Sequence, residues 1–492
     1  MILRELLTAV KPIQVLGSMD ITIHALQFDS RKVEKGDLFV AQAGTAVDGH
    51  TFIGSCIEKG ALAIVLDNAK YMPDSAVFGV TYVLVPNAEE ALGRLAHQWY
   101  GCPSEKLTLV GVTGTNGKTT IATLLYKMVR AMGYKAGLIS TVVYYVDDQA
   151  YPSTHTTPDA LALNSLLAQM VKAGCQYAFM EVSSHSIAQE RIAGLQFAGA
   201  MFTNLTRDHI DYHKTFDNYR DTKKRLFDGL SKEAFAVTNA DDKNGLVMTQ
   251  NSRAHVHTYS TCNIAEHRGK ILEEGFDGML LNIDGQEVFV PLVGRFNVSN
   301  LLCIYSAALC LGFDKLEVLR VLSTLQPVNG RFETIHSNKG WTAIIDYAHT
   351  PDAVENVIST INEILASQKP MTNGQKPKLI TVVGCGGNRD KGKRPMMAQI
   401  AKRGSQQLIL TSDNPRDEEP SAILKDMTDG LTEEELRSTL VIEDRATAIQ
   451  TACTLAQTGD VILIAGKGHE NYQIVKGVKS HFDDHEQVRK YI

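Results

Sequence analysis

The sequence predicts an α/β protein of three domains, and three observations carry that prediction. Short apolar runs of strand length alternate with segments of helical period along the whole chain, the pattern of mainly parallel sheets covered by helices. The 492 residues suffice for about three domains. A breaker cluster at Gly101-Cys-Pro-Ser104 suits a linker after the first of them. The expected units are a small α/β N-terminal domain over 1–104, a central domain with a mostly parallel sheet over 105–334, and a C-terminal Rossmann-like α/β domain over 335–492.

Each unit has its own series of elements. The first opens on a short amphipathic helix at 1–8, followed by strand-like runs at 37–40, 63–66 and 82–86 and a helix at 88–100. The central unit opens on a strand at 107–112, and a second apolar strand at 177–180 ends in Glu181. The third carries strands at 342–345, 379–383, 407–410 and 461–464.

Composition removes several function classes. Lys and Arg total 49 against 55 Asp and Glu, a formal charge of −6, so no basic footprint for nucleic acid is present. Mean hydropathy is −0.10, and no apolar stretch approaches the ~20 residues that cross a bilayer. The N-terminus carries an acid and lacks a long apolar region, so a cytoplasmic protein is expected. Eight scattered cysteines without a C-x-x-C pair signal neither a disulfide framework nor zinc; they read as buried thiols.

The strand at 107–112 runs through Thr113-Gly-Thr-Asn-Gly-Lys-Thr-Thr120 into a helix. A strand, a glycine turn and a helix start aim several backbone N–H groups and the positive helix end at one anion. Gly114 and Gly117 permit the path, Lys118 reaches the β and γ phosphates, and Thr119 offers a hydroxyl to magnesium. The usual G-x-x-x-x-G-K-[ST] spacing fails by one place, because Val112 stands where the first glycine belongs. The central unit therefore reads as a P-loop-type ATPase domain. Glu181, at the tip of a neighbouring strand, can hold the magnesium. A guanine-reading Asn-Lys-x-Asp is missing, which favours adenine.

These segments, with Glu181-Val-Ser-Ser-His185, Asn204-Leu-Thr-Arg-Asp-His209, Leu292-Val-Gly-Arg-Phe-Asn297 with Asn300, Gly330-Arg-Phe-Glu333 and Asp346-Tyr-Ala-His-Thr-Pro351, resemble the ATP-dependent Mur ligases of peptidoglycan synthesis. The resemblance implies an amide ligase using ATP and Mg2+, active as a monomer on a UDP-N-acetylmuramoyl-dipeptide. It implies that Gly114, Thr115, Asn116, Gly117, Lys118, Thr119, Thr120, Asn297, Asn300 and Arg331 hold ATP. It implies Thr119, Glu181, His209 and Lys223, the last as a carbamate, as magnesium ligands. On spacing alone the Lys-Lys-Arg run at 223–225 would be a solvated helix face, although crowding by Lys224 and Arg225 gives Lys223 a reason for a lowered pKa.

The resemblance further implies contacts from Ser30, Thr156, Thr157, Ser183, Gln189 and Arg191 to the muramoyl dipeptide. Asp-Ser-Arg around Ser30 is also an ordinary turn. Asp413-Asn-Pro-Arg416 resembles the motif of family members that add meso-diaminopimelate; lysine-adding relatives lack the arginine. Arg416 has a rationale, since that amino acid differs from lysine by a carboxylate a guanidinium can hold bidentately. Arg389, Asp413, Asn414, Pro415, Gly466 and Glu470 complete the implied amino-acid site. Asp346 and His349 fall on the hinge side of the ATP site, with neither read as a general base. A lysine-adding Mur ligase or a folylpolyglutamate-synthase-like ligase is the nearest alternative. A nucleotide-switch ATPase is the alternative from another class.

Overall fold

The computed structural model describes residues 1–44, 47–367 and 376–492. Among the described residues three large sheets divide the chain, with a two-stranded hairpin, Tyr472–Val475 and Val478–His481, beside the third. Residues 14–84 form a five-stranded sheet in the order 14–16, 81–84, 63–66, 38–40, 26–27, all parallel except the first pair. Ala63–Leu66 and Thr81–Leu84 are buried along their whole length, as strands covered on both faces must be. The helix Ala88–Trp99 begins where the Asn87 side chain accepts from the Glu90 N–H, an N-cap that satisfies one of the helix's open donors. At the N-terminus the expected helix is limited to Leu3–Leu6 with a 3₁₀ turn after it.

The central sheet has eleven strands. Thr108–Thr113 lies between Tyr177–Glu181 and Gly199–Phe202, parallel to both. Two antiparallel extensions flank this parallel middle: Val143–Val146 with Gln149–Pro152 on one edge, and His267–Gly275, Gly278–Ile283 and Gln286–Val290 on the other. The helices Lys118–Ala131 and Arg295–Cys310 share one continuous apolar core on the sheet.

The third sheet runs 333–336, 342–346, 461–465, 379–385, 407–412, 439–441, parallel except at its first pair. Its parallel strands 342–346, 379–385, 407–412 and 461–465 end at the cleft facing the central domain. A crevice outside the carboxyl ends of parallel strands is where open α/β sheets take their ligands.

All eight thiols are free, but they are not uniformly buried: Cys262 is exposed, and Cys102 and Cys310 are half-buried. No helix among the described residues is long and apolar enough to cross a membrane.

Candidate active site

The phosphate loop starts later than the sequence spacing suggests, because the strand continues to Thr113. Gly111 is therefore a packing glycine, whose Cβ would sit 2.9 Å from the Phe197 ring. The turn is made by Gly114 and Gly117, at φ of 149° and 87°. A Cβ on Gly114 would lie 1.9 Å from Thr203 Oγ1, and one on Gly117 2.4 Å from Asn300 Oδ1, so both need glycine for space as well as for conformation. Asn204 braces the loop, its carbonyl accepting from Thr115 N at 2.8 Å and its Oδ1 from Asn116 N at 2.9 Å. Lys118 opens the following helix and folds back, donating to Gly114 O at 2.9 Å and Thr115 O at 2.7 Å. Burial pulls its pKa down against the opposing pull of Glu181 and Asp208.

Glu181 closes its strand opposite Val112 and is 1% exposed. Its carboxylate accepts from Thr141 N at 2.7 Å and Thr141 Oγ1 at 3.2 Å, which leaves lone pairs on both oxygens. Thr119 offers its hydroxyl oxygen, which accepts from Arg331 Nη2 at 3.0 Å. Such oxygen donors suit a hard divalent cation, and Glu181, Thr119 and His209 line one cavity. Lys223 lines it too, 1% exposed, with Nζ donating to Gly114 O at 2.8 Å and Thr113 Oγ1 at 3.3 Å. Its ammonium has no lone pair for a cation, whereas a carbamate formed on the neutral amine would offer hard oxygen donors. Its pKa is lowered well below the ordinary lysine value, first by burial and then by Lys118. Crowding by Lys224 and Arg225 is not the cause: Lys224 pairs with Asp228 and Arg225 with Glu190. His209 is lowered to about 4, again by burial first.

That cavity, of about 310 Å³, joins the central and C-terminal domains. Its far wall carries Arg389, Asp413, Asn414, Arg416, Gly466 and Glu470, on loops that follow three neighbouring parallel strands. Asn414 Nδ2 donates to Glu470 Oε2 at 2.7 Å, and the fully buried Lys467 stands 3.5 Å from the same oxygen. Burial and Asp413 raise the Glu470 pKa against Lys467. Pro415 does not face the cavity; its carbonyl packs where a Cβ on Gly387 would be, 1.8 Å away.

The remaining expected residues separate into those at the cavity and those behind it. Thr156 and Ser183 line it. Thr157 is 1% exposed and spends its hydroxyl on Glu181 O at 2.8 Å. Arg191 lies behind, donating to Thr157 O at 2.7 Å and through Nε to Gln189 Oε1 at 3.0 Å. Ser30 lies in the N-terminal domain outside the cavity, and its carbonyl accepts from Lys59 Nζ at 2.7 Å. Asn297, Asn300, Thr120 and Arg331 line an adjoining cavity of about 170 Å³ with Phe296 and Val357, apolar surface suited to a flat base. Arg331 lies over the Tyr347 ring, and its buried Nε lacks a partner. That orphaned donor is explained by an acceptor arriving with a ligand. Asp346 accepts from Phe332 N at 2.7 Å and Ala348 N at 2.6 Å, so its carboxylate braces the backbone on either side of the Arg331–Tyr347 contact.

Sequence reasoning missed several cavity residues. Asp208 was adjacent to a recognised histidine, and burial aside it faces His209, His349, Lys393 and Lys118. Lys393, donating to His349 O at 2.8 Å, carries no sequence signal, since a lysine beside a helix start is commonplace. Among the described residues one cluster of ligand-type atoms, His97, Cys102 and Glu105, lies outside this cavity; His97 Nε2 is already engaged by Ser104 Oγ at 2.8 Å.

Three family profiles match in order: the Mur ligase family catalytic domain over 22–100, the Mur ligase middle domain over 112–308, and the Mur ligase glutamate ligase domain over 330–468. The UDP-N-acetylmuramoyl-L-alanyl-D-glutamate--2,6-diaminopimelate ligase of Phocaeicola vulgatus is 58% identical over 99% of this chain and 98% of its own. The chain belongs to the Mur ligase family. The like-named protein of Bacteroides thetaiotaomicron is 56% identical over 100% and 99% of the two chains. A solved structure of a UDP-N-acetylmuramoyl-L-alanyl-D-glutamate--2,6-diaminopimelate ligase superposes with a TM-score of 0.69 at 33% identity, covering 99% and 98%. A Mur ligase architecture accounts for the three sheets and for the placing of the phosphate loop in the middle one.

Proposed function

We propose that this Mur ligase joins meso-diaminopimelate to UDP-N-acetylmuramoyl-L-alanyl-D-glutamate at the expense of ATP, as a cytoplasmic monomer in peptidoglycan precursor synthesis. The observation that carries the reading is the single cavity with Lys118 and Glu181 on one wall and Arg389, Arg416 and Glu470 on the other. Residues 1–104 would take the uridine end, 105–334 the ATP, and 335–492 the incoming amino acid.

The D-glutamate γ-carboxylate attacks the γ-phosphorus of ATP, ADP leaves, and an acyl phosphate forms. The amine of diaminopimelate, after losing a proton, attacks the acyl carbon, and phosphate departs as the tetrahedral intermediate collapses. Both steps are helped mainly by positioning and charge neutralisation. Lys118 and the loop N–H groups meet the phosphates, while Arg331, Asn297 and Asn300 hold the nucleotide. Thr156, Thr157, Ser183, Gln189 and Arg191 align the dipeptide. Arg389 and Arg416 take carboxylates of the amino acid, and Glu470 takes an ammonium. Thr119, Glu181, His209 and carbamylated Lys223 would hold magnesium, which when bound neutralises phosphate charge.

Phosphate release from ATP, measured with the dipeptide nucleotide and each amino acid in turn, tests the reading. Release is expected to require both the dipeptide and meso-diaminopimelate. Equal release with lysine would overturn the amino-acid assignment, and hydrolysis indifferent to the dipeptide would favour a switch ATPase.

A further inference from the structure

The two arginines assigned to the amino acid sit on separate loops, and each loop turns through a left-handed residue. Asn388, just before Arg389, has φ 53°, which asparagine adopts readily, and Arg416 has φ 55°, a left-handed conformation uncommon for arginine. One ion pair, with its arginine buried and its glutamate half-buried, touches both loops. Arg394 is 0% exposed and grips Glu418 with both ends of its fork, Nη1 to Oε2 at 3.0 Å and Nη2 to Oε1 at 2.8 Å. From that pair, Arg394 Nη2 donates to Gly386 O at 3.2 Å, and Glu418 Oε1 accepts from Asn388 N at 2.6 Å. Glu418 lies two residues beyond Arg416, whose Nη1 in turn donates to Gly387 O at 2.8 Å. The loops are thus stitched to each other at one charged junction. Arg394 has a second carboxylate, Asp426 Oδ2 at 2.7 Å, on a helix that carries neither arginine.

We infer that the Arg394–Glu418 pair is the positioning element for amino-acid recognition, fixing the spacing of Arg389 and Arg416. The inference rests on the proposed activity and adds residues that touch no substrate. Bidentate recognition of a carboxylate tolerates little displacement, so the spacing of the two guanidinium groups decides whether both carboxylates of a diamino-dicarboxylic acid are met. A pair that served only to anchor the helix Lys393–Gly404 would make its two carboxylate partners equivalent; a positioning pair makes Glu418 special.

The test compares Glu418→Gln with Asp426→Asn in steady-state assays of the full chain. Glu418→Gln is expected to raise KM for meso-diaminopimelate about tenfold, with KM for ATP and for the dipeptide nucleotide within about twofold of wild type and kcat at saturation retained. Asp426→Asn is expected to lower thermal stability and leave that KM alone, and Glu418→Asp, which keeps the carboxylate, to recover part of the loss. An unchanged KM in Glu418→Gln, or an equal rise in Asp426→Asn, overturns the inference. If wild type releases phosphate without need of meso-diaminopimelate, the activity itself is wrong and the inference falls with it, a result distinct from an active wild type whose variants do not differ.

Discussion

On the central-domain wall of the cavity, charge is met mainly by backbone, the open N–H groups of the helix that starts after Gly117, with one lysine folded onto two loop carbonyls beside them. On the C-terminal wall it is met by side chains, Arg389 and Arg416, on loops that the Arg394–Glu418 ion pair ties together. The same contrast separates the two fully buried lysines. Lys223 has only a carbonyl and a hydroxyl to donate to, so burial drives it toward the neutral amine. Lys467 has the Glu470 carboxylate within 3.5 Å, a charged partner that Lys223 lacks. A phosphate group is common to every reaction of an ATP-dependent ligase and can be read by backbone that any side chain would obstruct. An amino acid must be told from its neighbours, and only side chains can do that.

If this division is right, the largest loss comes from the backbone-built wall. Lys118→Ala is expected to lower kcat/KM about 10³-fold, the scale on which a single cation stabilises phosphoryl transfer, for every amino acid offered. A loss confined to one amino acid would break the comparison. Next, Arg416→Lys is expected to weaken meso-diaminopimelate by about 10- to 100-fold in KM, the worth of a charge-assisted hydrogen bond pair, with ATP unaffected. Equal effects of both substitutions on KM for ATP would erase the distinction between the walls. Lys223→Ala sharpens the lysine contrast. Wild type in labelled bicarbonate is expected to give a carbamate carbon resonance by NMR that the variant lacks, while Lys467→Ala keeps it; a resonance surviving in Lys223→Ala would remove the carbamate from this site.

The two walls were not equally legible in the sequence. The phosphate loop is local: strand, glycines, lysine and helix lie within about a dozen residues, and only the strand end was misplaced, since Thr113 continues the pairing with Phe202. The antiparallel edges at 143–152 and 267–290 escaped for two reasons: mixed polar strands such as His267–Gly275 lack an apolar run, and Val143–Val146 is only four residues long. The C-terminal site was nameable through its resemblance at Asp413-Asn-Pro-Arg416, yet the pair that shapes it was invisible. Arg394 and Glu418 are separated by 24 residues, and each looks in sequence like a solvated charge. Lys223 was identified with the wrong cause, because sequence neighbours on a helix point to different faces, and Lys224 and Arg225 leave for Asp228 and Glu190.

The smallest effect separates the walls by pH. Hydrogen bonds from Arg394, outweighing burial, lower the Glu418 carboxyl from 4.5 to about 2. A carboxyl whose folded pKa is depressed contributes stability that is fully present above its unfolded pKa and is lost as pH falls toward the folded one. Wild type should therefore be more stable than Glu418→Gln by a margin that stays level from neutral pH down to about 5 and shrinks between 4.5 and about 2. Chemical denaturation of both proteins across that range measures the margin directly. Lys118→Ala should show no such acid-side convergence, because Lys118 owes its placement to the Gly114 and Thr115 carbonyls, which do not titrate. Parallel acid limbs for wild type and Glu418→Gln would mean that Glu418 is held by solvent and main chain alone, and the C-terminal wall would then be organised as the central one is.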